Sequence, residues 1–429
     1  MKKILLPSIF LSVFSLFVLP VFSTEFDTDL LAKPHRIFEI GVDAQAAAAN
    51  SYFNLNNIFQ KDIVIDLTKI TNDMPRSGFS VGFYDKEQVF INLNISSRFR
   101  FSVFTDVEAS GRFSISKDLF ELLSSGLNVG STKTVDVIGY ADMFADIGAS
   151  FQTIVNNYGI RITPTYFIPL LYVPKTKATG TLVTNKEGLI KATAEANVDI
   201  YTAIDMQGFV EDGSNLFDDF DYKKILSNGG FDLSLDIDRN WFHNFNAGIY
   251  TRIPIIAGTL NYKMSTRMWA SFYTENLLDD ILTSDIPSPE SGYGYEDETT
   301  GDKKKFKYSE DTYKAYRPLK LGLSASYAPF GNWLKIQPAF GLAIRNPYSG
   351  DMIVYPEYSL DVRLALLKRV FNFNLGTAYQ NQIFQQRFGF SLNLRAIEIL
   401  AQVSMCGTSF RASFERDGYG AMLGYRIGF

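Results

Sequence analysis

The chain is poor in the residues on which most enzymes, metal sites and disulfide-linked secreted domains depend. Its 429 residues include one cysteine, Cys406, and two histidines, His35 and His243. A single cysteine cannot form an intramolecular disulfide, and with two distant histidines it does not make a structural zinc site. No glycine-rich phosphate loop is present. We therefore expect no catalytic residue, no metal and no cofactor, and we expect that the protein is not an enzyme.

Acidic residues occur in small clusters, for example Asp218, Asp219 and Asp221. Their spacing matches no calcium-loop consensus. They fall in loop-like stretches, where solvated charge is the usual interpretation. The formal net charge of −5 also makes nucleic acid an unsuitable partner, because nucleic-acid binding needs clustered cations.

Long apolar runs are absent except at the N-terminus. There two lysines precede an apolar stretch from Ile4 to Val18, which Pro20 and the small Ser23 follow. This order predicts a secretory signal peptide over residues 1–23. A permanent anchor helix is the alternative, but the run is short and its flanks do not suit one. No later stretch approaches the ~18 apolar residues that a membrane helix needs.

The dominant pattern is the alternation of apolar and polar residues in segments of about ten, separated by Gly, Asn, Asp or Pro clusters. The stretches 190–201, 231–238 and 260–270 show it most clearly. A soluble sandwich or propeller is the alternative, but it would need a shared dry core or a blade repeat, and no repeat is present. We predict an all-β protein, a transmembrane antiparallel β-barrel of about 14 strands over 77–429.

The last strand has its own signature, because aromatic and aliphatic residues alternate up to the final position. Tyr425, Ile427 and Phe429 resemble the assembly signal of outer-membrane barrels, which the barrel-insertion machinery binds along the strand edge. The expected partners are therefore that machinery and the lipid of the outer membrane. We expect the protein to reside in the outer membrane of a Gram-negative-type envelope.

The segment 24–76 breaks the strand pattern before the predicted barrel. Within it, residues 44–72 read as partly helical and amphipathic. We predict a small N-terminal helical plug that fills the lumen, with Asn50, Tyr52 and Phe53 as candidate plug residues.

Two further stretches depart from alternation. Residues 115–126 predict a helix, with Ser116 as its cap and Gly126 as its stop. Residues 273–317 are rich in Asp, Glu, Lys, Gly, Ser and Pro and predict a long extracellular loop. If that loop is outside and all later tight turns, including 416–418, are periplasmic, the last strand would end outside. An outer-membrane barrel should instead end with Phe429 in the periplasm. The strand number is therefore uncertain by about two.

Together these features resemble the outer-membrane transporters of long-chain fatty acids, and within that type the uncharacterised barrels of spirochaetes. The resemblance rests on the export signal, the segment GVDAQAAAAN over 41–50, the strand number and the terminal aromatic strand. That family usually has an Asn-Pro-Ala element in its N-terminal hatch, whereas Asn50 is followed here by Ser51 and Tyr52. This departure leaves ligand binding by the hatch in question.

The resemblance implies that a hydrophobic ligand passes the hatch and leaves through a lateral opening where a strand is kinked. Gly139, Pro164 and Pro169 are candidate kinks, because glycine permits a bulge and proline removes a ladder hydrogen bond. For each of them, an ordinary turn or edge feature is the more common interpretation. No ligand-binding residue can be assigned from the sequence.

We therefore predict passive transport of hydrophobic small molecules such as long-chain fatty acids. The alternative is a surface adhesin or structural barrel that acts through the 273–317 loop. A general diffusion porin ranks behind both.

Overall fold

The computed structural model describes residues 30–32, 36–52, 67–126, 128–184, 190–207, 222–274, 292–293, 295–296, 303–304, 307–350, 352–367, 370–415 and 417–429. Strands dominate it, as the alternation predicts. They are β1 (Phe38–Asn50), β2 (Phe79–Asn94), β3 (Phe99–Ile115), β4 (Thr132–Val155), β5 (Tyr158–Thr184), β6 (Ile190–Thr202), β7 (Gly230–Phe242), β8 (Phe245–Ile256), β9 (Gly258–Thr274), β10 (Gly292–Tyr293), β11 (Tyr295–Glu296), β12 (Lys303–Lys304), β13 (Lys307–Ala315), β14 (Leu319–Tyr327), β15 (Leu334–Arg345), β16 (Ile353–Leu366), β17 (Phe371–Gln380), β18 (Ile383–Asn393), β19 (Ile397–Gly407) and β20 (Gly418–Gly428).

The helices are short: α1 (Leu67–Asp73), α2 (Lys117–Ser125), α3 (Tyr222–Ser227), α4 (Ala412–Glu415) and a 3₁₀ turn at Gly331–Trp333. None of the helices in the described ranges is long and apolar enough to span a membrane.

The strands close into an antiparallel barrel with fourteen wall positions, which confirms the predicted fold. Closure is made by β1, which pairs with β2 on one side and with β20 on the other. Three wall positions are built from two strands each, β6 with β7, β8 with β9, and β13 with β14. For example, β5 pairs with β7 over residues 158–167 and with β6 over parts of 171–184.

The start of β1 and the end of the chain meet at one rim of the barrel. The carbonyl of Phe429 accepts hydrogen bonds from the N–H groups of Ile37 and Phe38, at 2.6 and 3.2 Å. We call this end the terminal rim. We call the opposite end, which carries α1, α2, the end of β9 and the start of β13, the loop rim. The turn at Asp417 lies at the loop rim. The prediction that all tight turns after residue 317 lie at one end of the barrel is therefore wrong for this turn. This removes the conflict about where the last strand ends.

The 273–317 prediction needs a correction too. Lys307–Ala315 is strand β13, paired with β9, so the loop is shorter than predicted. Within the predicted loop, Gly292 and Tyr293 of β10 also pair with β9.

The N-terminal segment differs most from the prediction. Residues 44–50 are not helical but form the upper half of β1, so the barrel begins at Phe38 rather than at 77. Alanine has the highest intrinsic helix propensity, but that preference amounts to less than about 1 kcal/mol per residue, and the ladders that β1 forms on both edges outweigh it. The predicted helical plug is therefore wrong for 44–50, while 53–66 lie outside the described residues.

The predicted helix over 115–126 is confirmed as α2. Gly126 ends it with a φ of 70°, a conformation that glycine adopts without strain. Ser116 occupies the cap position, but its hydroxyl accepts a hydrogen bond from the N–H of Asp136 at 3.0 Å instead of capping the helix. The helix is thereby tied to β4, and Thr71 of α1 donates to the Phe120 carbonyl at 2.9 Å.

Candidate functional site

The inner face of the barrel is polar and its outer face is apolar. On β17, Phe371, Phe373 and Leu375 point outward and are exposed, while the intervening Asn372 is 1% exposed. The same alternation runs around the wall. The lumen is therefore lined by charged, amide and hydroxyl side chains.

Arg317 lies at the centre of the lumen. It belongs to the three-residue link between β13 and β14, is 2% exposed, and donates hydrogen bonds to Glu108 of β3 and Asp146 of β4. Asp232 lies 3.9 Å from its Nε. Since β14 stands five wall positions from β3, these ion pairs cross the lumen.

Further pairs cross at nearby positions. Arg345 of β15 donates to Asp142 of β4 at 2.6 Å, and its guanidinium lies 4.3 Å from the ring centre of Tyr172. Arg252 of β8 lies 3.6 Å from Glu108. A buried pair is stable only when its partners stay together, because separating two desolvated charges is costly. The crossing pairs therefore close the lumen at mid-height, the role that sequence analysis gave to a helical plug.

A short N-terminal stretch lies in the lumen near the terminal rim. Leu30 is 2% exposed; its N–H donates to Asp238 at 3.0 Å, and its carbonyl accepts from Gln152 at 2.6 Å. Arg100 donates to the carbonyl of Ala32. Residues 30–32 thus narrow the mouth at the terminal rim.

Four adjacent wall positions are interrupted at one level, which we call the break line. It comprises Pro169 in β5, residues 203–207 and 222–229 between β6 and β7, Ala257 between β8 and β9, and residues 316–318 between β13 and β14. The β4–β5 register shifts between Met143 and Phe144, beside Pro169, and again between Gly139 and Ala141. Two of the three candidate kinks thus lie at irregularities, whereas Pro164 stays in regular register with β7.

The break line is filled by apolar side chains. We call this group the break cluster; its buried members are Phe144, Phe167, Ile168, Tyr172, Tyr201, Ala203, Ile225, Leu260 and Ala315. Tyr313 stacks on Tyr201 with 4.3 Å between ring centres. Ile225 belongs to α3, so this helix covers the gap between β6 and β7. An apolar zone therefore lies directly beside the ion-paired centre.

A cavity of about 200 Å³ lies next to this cluster, on β9 and β13 and the start of the chain after β6. Its lining mixes apolar and polar groups, including Met206, Tyr262, Met264 and Glu310. Tyr262 is held from the other side by Lys224 of α3, whose Nζ lies 2.9 Å from the Tyr262 hydroxyl.

Two of the three predicted plug residues, Asn50 and Tyr52, lie at the loop-rim end of β1. Asn50 ends β1, where its side chain donates to the carbonyl of Asp417 at 2.5 Å, and it accepts from the N–H of Tyr52 at 2.9 Å. Phe53 lies outside the described residues. Asn50 therefore anchors the loop rim.

The predicted assembly residues Tyr425, Ile427 and Phe429 all point outward on β20 and are exposed. His243 lies in the β7–β8 turn, and His35 is not among the described residues. In the described ranges no group of three or more His, Cys, Asp or Glu side chains is close enough to hold a metal ion.

The crossing ion pairs cannot be predicted from the sequence. Arg317 falls in the stretch predicted to be a solvated loop, and its partners are 171 and 209 residues away in the chain. The only local signals were the acids at alternate positions of β3, Asp106 and Glu108, and the proline that follows Arg317. Neither signal identifies the opposite wall.

No protein-family model matches the sequence, and no curated protein matches it significantly. Among solved structures, the Pseudomonas putida toluene transporter TodX aligns with a TM-score of 0.44 at 10% identity, covering 96% of this chain and 95% of that one. The Ralstonia pickettii toluene transporter TbuX gives 0.42 at 8%, covering 93% and 91%. The translocator domain of the autotransporter NalP from Neisseria meningitidis gives 0.31 at 8%, covering 91% and 88%. Similarities this weak identify no family, and none of the three supports the expected likeness to spirochaete barrels.

Proposed function

We propose that the protein is an outer-membrane barrel that passes small hydrophobic molecules inward without an energy source. The observation that carries the proposal is the position of the break cluster, an apolar zone at interrupted wall strands beside a lumen closed by ion pairs. In this proposal residues 1–23 direct export, the terminal rim faces the periplasm and the loop rim faces outside. Long-chain fatty acids and small aromatic hydrocarbons are both candidate ligands.

The polar centre argues against an axial route for such molecules. To pass Arg317, an apolar molecule would have to separate buried ion pairs and leave their charges uncompensated, at a cost of roughly several kcal/mol. A small ion or sugar meets the same closed layer. The lumen is therefore a poor open pore for either class of solute.

The break line offers an apolar route for a hydrophobic molecule. A hydrophobic molecule would enter near the cavity at Tyr262 and Met264, displace side chains of the break cluster, and leave sideways where β6 and β7 are not continuous. Wall strands at that level lack part of their ladder, so opening there breaks fewer backbone hydrogen bonds than opening elsewhere.

A reversible cross-link across the break line tests this route. Ile168 and Gly229 directly adjoin Phe167 and Gly230, the last β5–β7 pair below the break line. In a background that carries Cys406→Ala, we would introduce Ile168→Cys and Gly229→Cys and reconstitute the protein in liposomes. A side chain at 229 displaces the Tyr166 ring, so the reduced double variant is the reference state. Uptake of a fluorescent fatty acid and of toluene is expected to fall on oxidation and to return on reduction.

The matched control places the same cross-link below the break line, at the paired residues Ile160 and Ile237. Oxidation there is expected to leave uptake unchanged. Normal uptake by the oxidised 168–229 variant would contradict the lateral route, and no uptake by any variant in either redox state would contradict hydrophobic transport itself. Deleting residues 44–72 is not a suitable test, because it removes half of β1.

A further inference from the structure

The outer face of the barrel near the terminal rim is apolar except at one position. On each wall strand we compared the two outward-pointing residues that lie nearest this rim. Among the described residues, Arg239 of β7 is the only charged one of them. The preceding outward residues of β7, Leu233, Leu235 and Ile237, are aliphatic. An arginine at this place is unusual, because a lipid-facing charge must reach the headgroup region.

Two aromatic rings hold the Arg239 guanidinium on the outer surface. Its central carbon lies 5.3 Å from the ring centre of Tyr158, the residue opposite it on β5, and 4.4 Å from that of Trp241. Trp241 is 58% exposed. Tyrosine and tryptophan rings of this kind mark the membrane–water interface.

Arg239 makes no ion pair with any of the described residues, unlike the neighbouring cation that points into the lumen. Arg161 lies on the neighbouring strand β5, three residues beyond Tyr158 and on the inner side, and is bound to Asp236 at 2.7 Å. Cation–π contacts use none of the guanidinium N–H donors, and the Arg239 side chain makes no hydrogen bond to a described residue. The group is therefore positioned for an anion that comes from the membrane side.

We propose that Arg239, Tyr158 and Trp241 form a binding site for the phosphate of an anionic phospholipid in the membrane leaflet at the terminal rim. The guanidinium pairs with the phosphate in two-point geometry, the rings flank the glycerol region, and the acyl chains lie along Ile237 and Leu235. Charge complementarity and the adjoining aliphatic ridge select a lipid over a free anion. The proposal requires the barrel to sit in a membrane but does not depend on what it transports.

The test compares lipid retention by the wild-type protein and by Arg239→Gln, using native mass spectrometry from micelles that contain phosphatidylglycerol. Arg98→Gln is the matched control, since Arg98 is an exposed cation of the same rim in the β2–β3 turn. We expect roughly fivefold lower occupancy in Arg239→Gln, with wild-type occupancy in Arg98→Gln. Arg239→Lys is expected to recover only part of it, because lysine lacks the planar fork.

Several results would overturn the site. Equal retention in Arg239→Gln and wild type would do so, and so would an equal loss in Arg98→Gln. Displacement of the lipid by millimolar inorganic phosphate would show a general anion site rather than a lipid site. The heat-modified gel mobility of each variant checks that the barrel is folded, so a loss of binding cannot be mistaken for unfolding.

Discussion

At the scale of single residues, Arg317 has the largest electrostatic role in the lumen. It contacts Glu108 and Asp146 directly and lies near Asp232, and all four side chains are almost fully buried. Replacing Arg317 with Met leaves these carboxylates with too little positive charge. We expect a loss of about 3–5 kcal/mol in the free energy of unfolding, measured by urea titration, and a higher ion conductance in planar bilayers.

Arg161→Gln is the control for this variant. Arg161 also pairs with a carboxylate, but its side chain is 28% exposed, so we expect a loss below about 1 kcal/mol and unchanged conductance. If Arg317→Met conducted no better than the control, the crossing ion pairs would not be what closes the lumen.

Asp417 gives a pH-dependent prediction at the loop rim. Burial and the nearby Glu415 carboxylate raise the pKa of Asp417 to about 6. The folded protein therefore binds this proton more tightly than the unfolded chain, so its contribution to stability is present at low pH and is lost as pH rises through about 6. Asp417→Asn, which resembles the protonated form, should raise the thermal midpoint at pH 7.5 and change it little at pH 4.

The exposed Asp311 provides the comparison for that experiment. Asp311→Asn removes the same charge from a position that faces a cation, Lys263 at 3.8 Å, so its thermal midpoint at pH 7.5 is expected to rise less than that of Asp417→Asn. An Asp417→Asn effect that did not depend on pH would show that charge at this position does not determine the stability of the rim.

At the scale of elements, the break line depends on close approach between β9 and β5. A Cβ added to Gly258 would lie 2.4 Å from Cδ of Pro169, so Gly258→Ala must push the two strands apart. We expect a loss of about 1–3 kcal/mol, measured by urea unfolding, together with altered uptake of hydrophobic probes.

Gly139→Ala is the matched substitution, because its added Cβ would meet Phe113 at an ordinary 3.6 Å. It should be nearly neutral in both measurements. Equal destabilisation by the two variants would indicate a general strand effect of alanine rather than crowding at Pro169.

Some strands and helices could be predicted from the sequence and others could not. Strict alternation located β7 and β9, and a polar cap position with a following glycine located α2, because both patterns are local. The alanine run of β1 was misread, since its strand state depends on partners at the far end of the chain. It could not be predicted either that β6 and β7 follow one another in a single wall position, because residues 203–229 separate them in the sequence.

At the scale of the whole molecule, closure joins the first and last strands. The Phe38 and Phe429 rings lie 5.6 Å apart, and the backbone bonds of Phe429 to β1 do not require its side chain. We expect Phe429→Ala to slow assembly by reconstituted barrel-insertion machinery while leaving urea stability almost unchanged. The time course of heat-modifiable protein on gels measures this rate.

Phe371→Ala serves as its control, since Phe371 is another exposed phenylalanine at the terminal rim. It should assemble at the wild-type rate. If both variants were slowed equally, the effect would come from the lost apolar surface and not from a signal in the last strand.

The candidate site itself lies beyond sequence reasoning, because it forms only when the barrel closes. Charges on alternate strand residues indicate a polar lumen but not which acid meets which base across it. Arg317 reaches Glu108 only because the wall brings β14 and β3 to opposite sides.

The most direct test of the central claim measures ion conductance and uptake of a hydrophobic probe on the same reconstituted wild-type protein. The closed polar lumen and the apolar break cluster predict low conductance together with saturable uptake of toluene or a fluorescent fatty acid. High, steady conductance without hydrophobic uptake would contradict the proposal and identify the protein as an open aqueous pore.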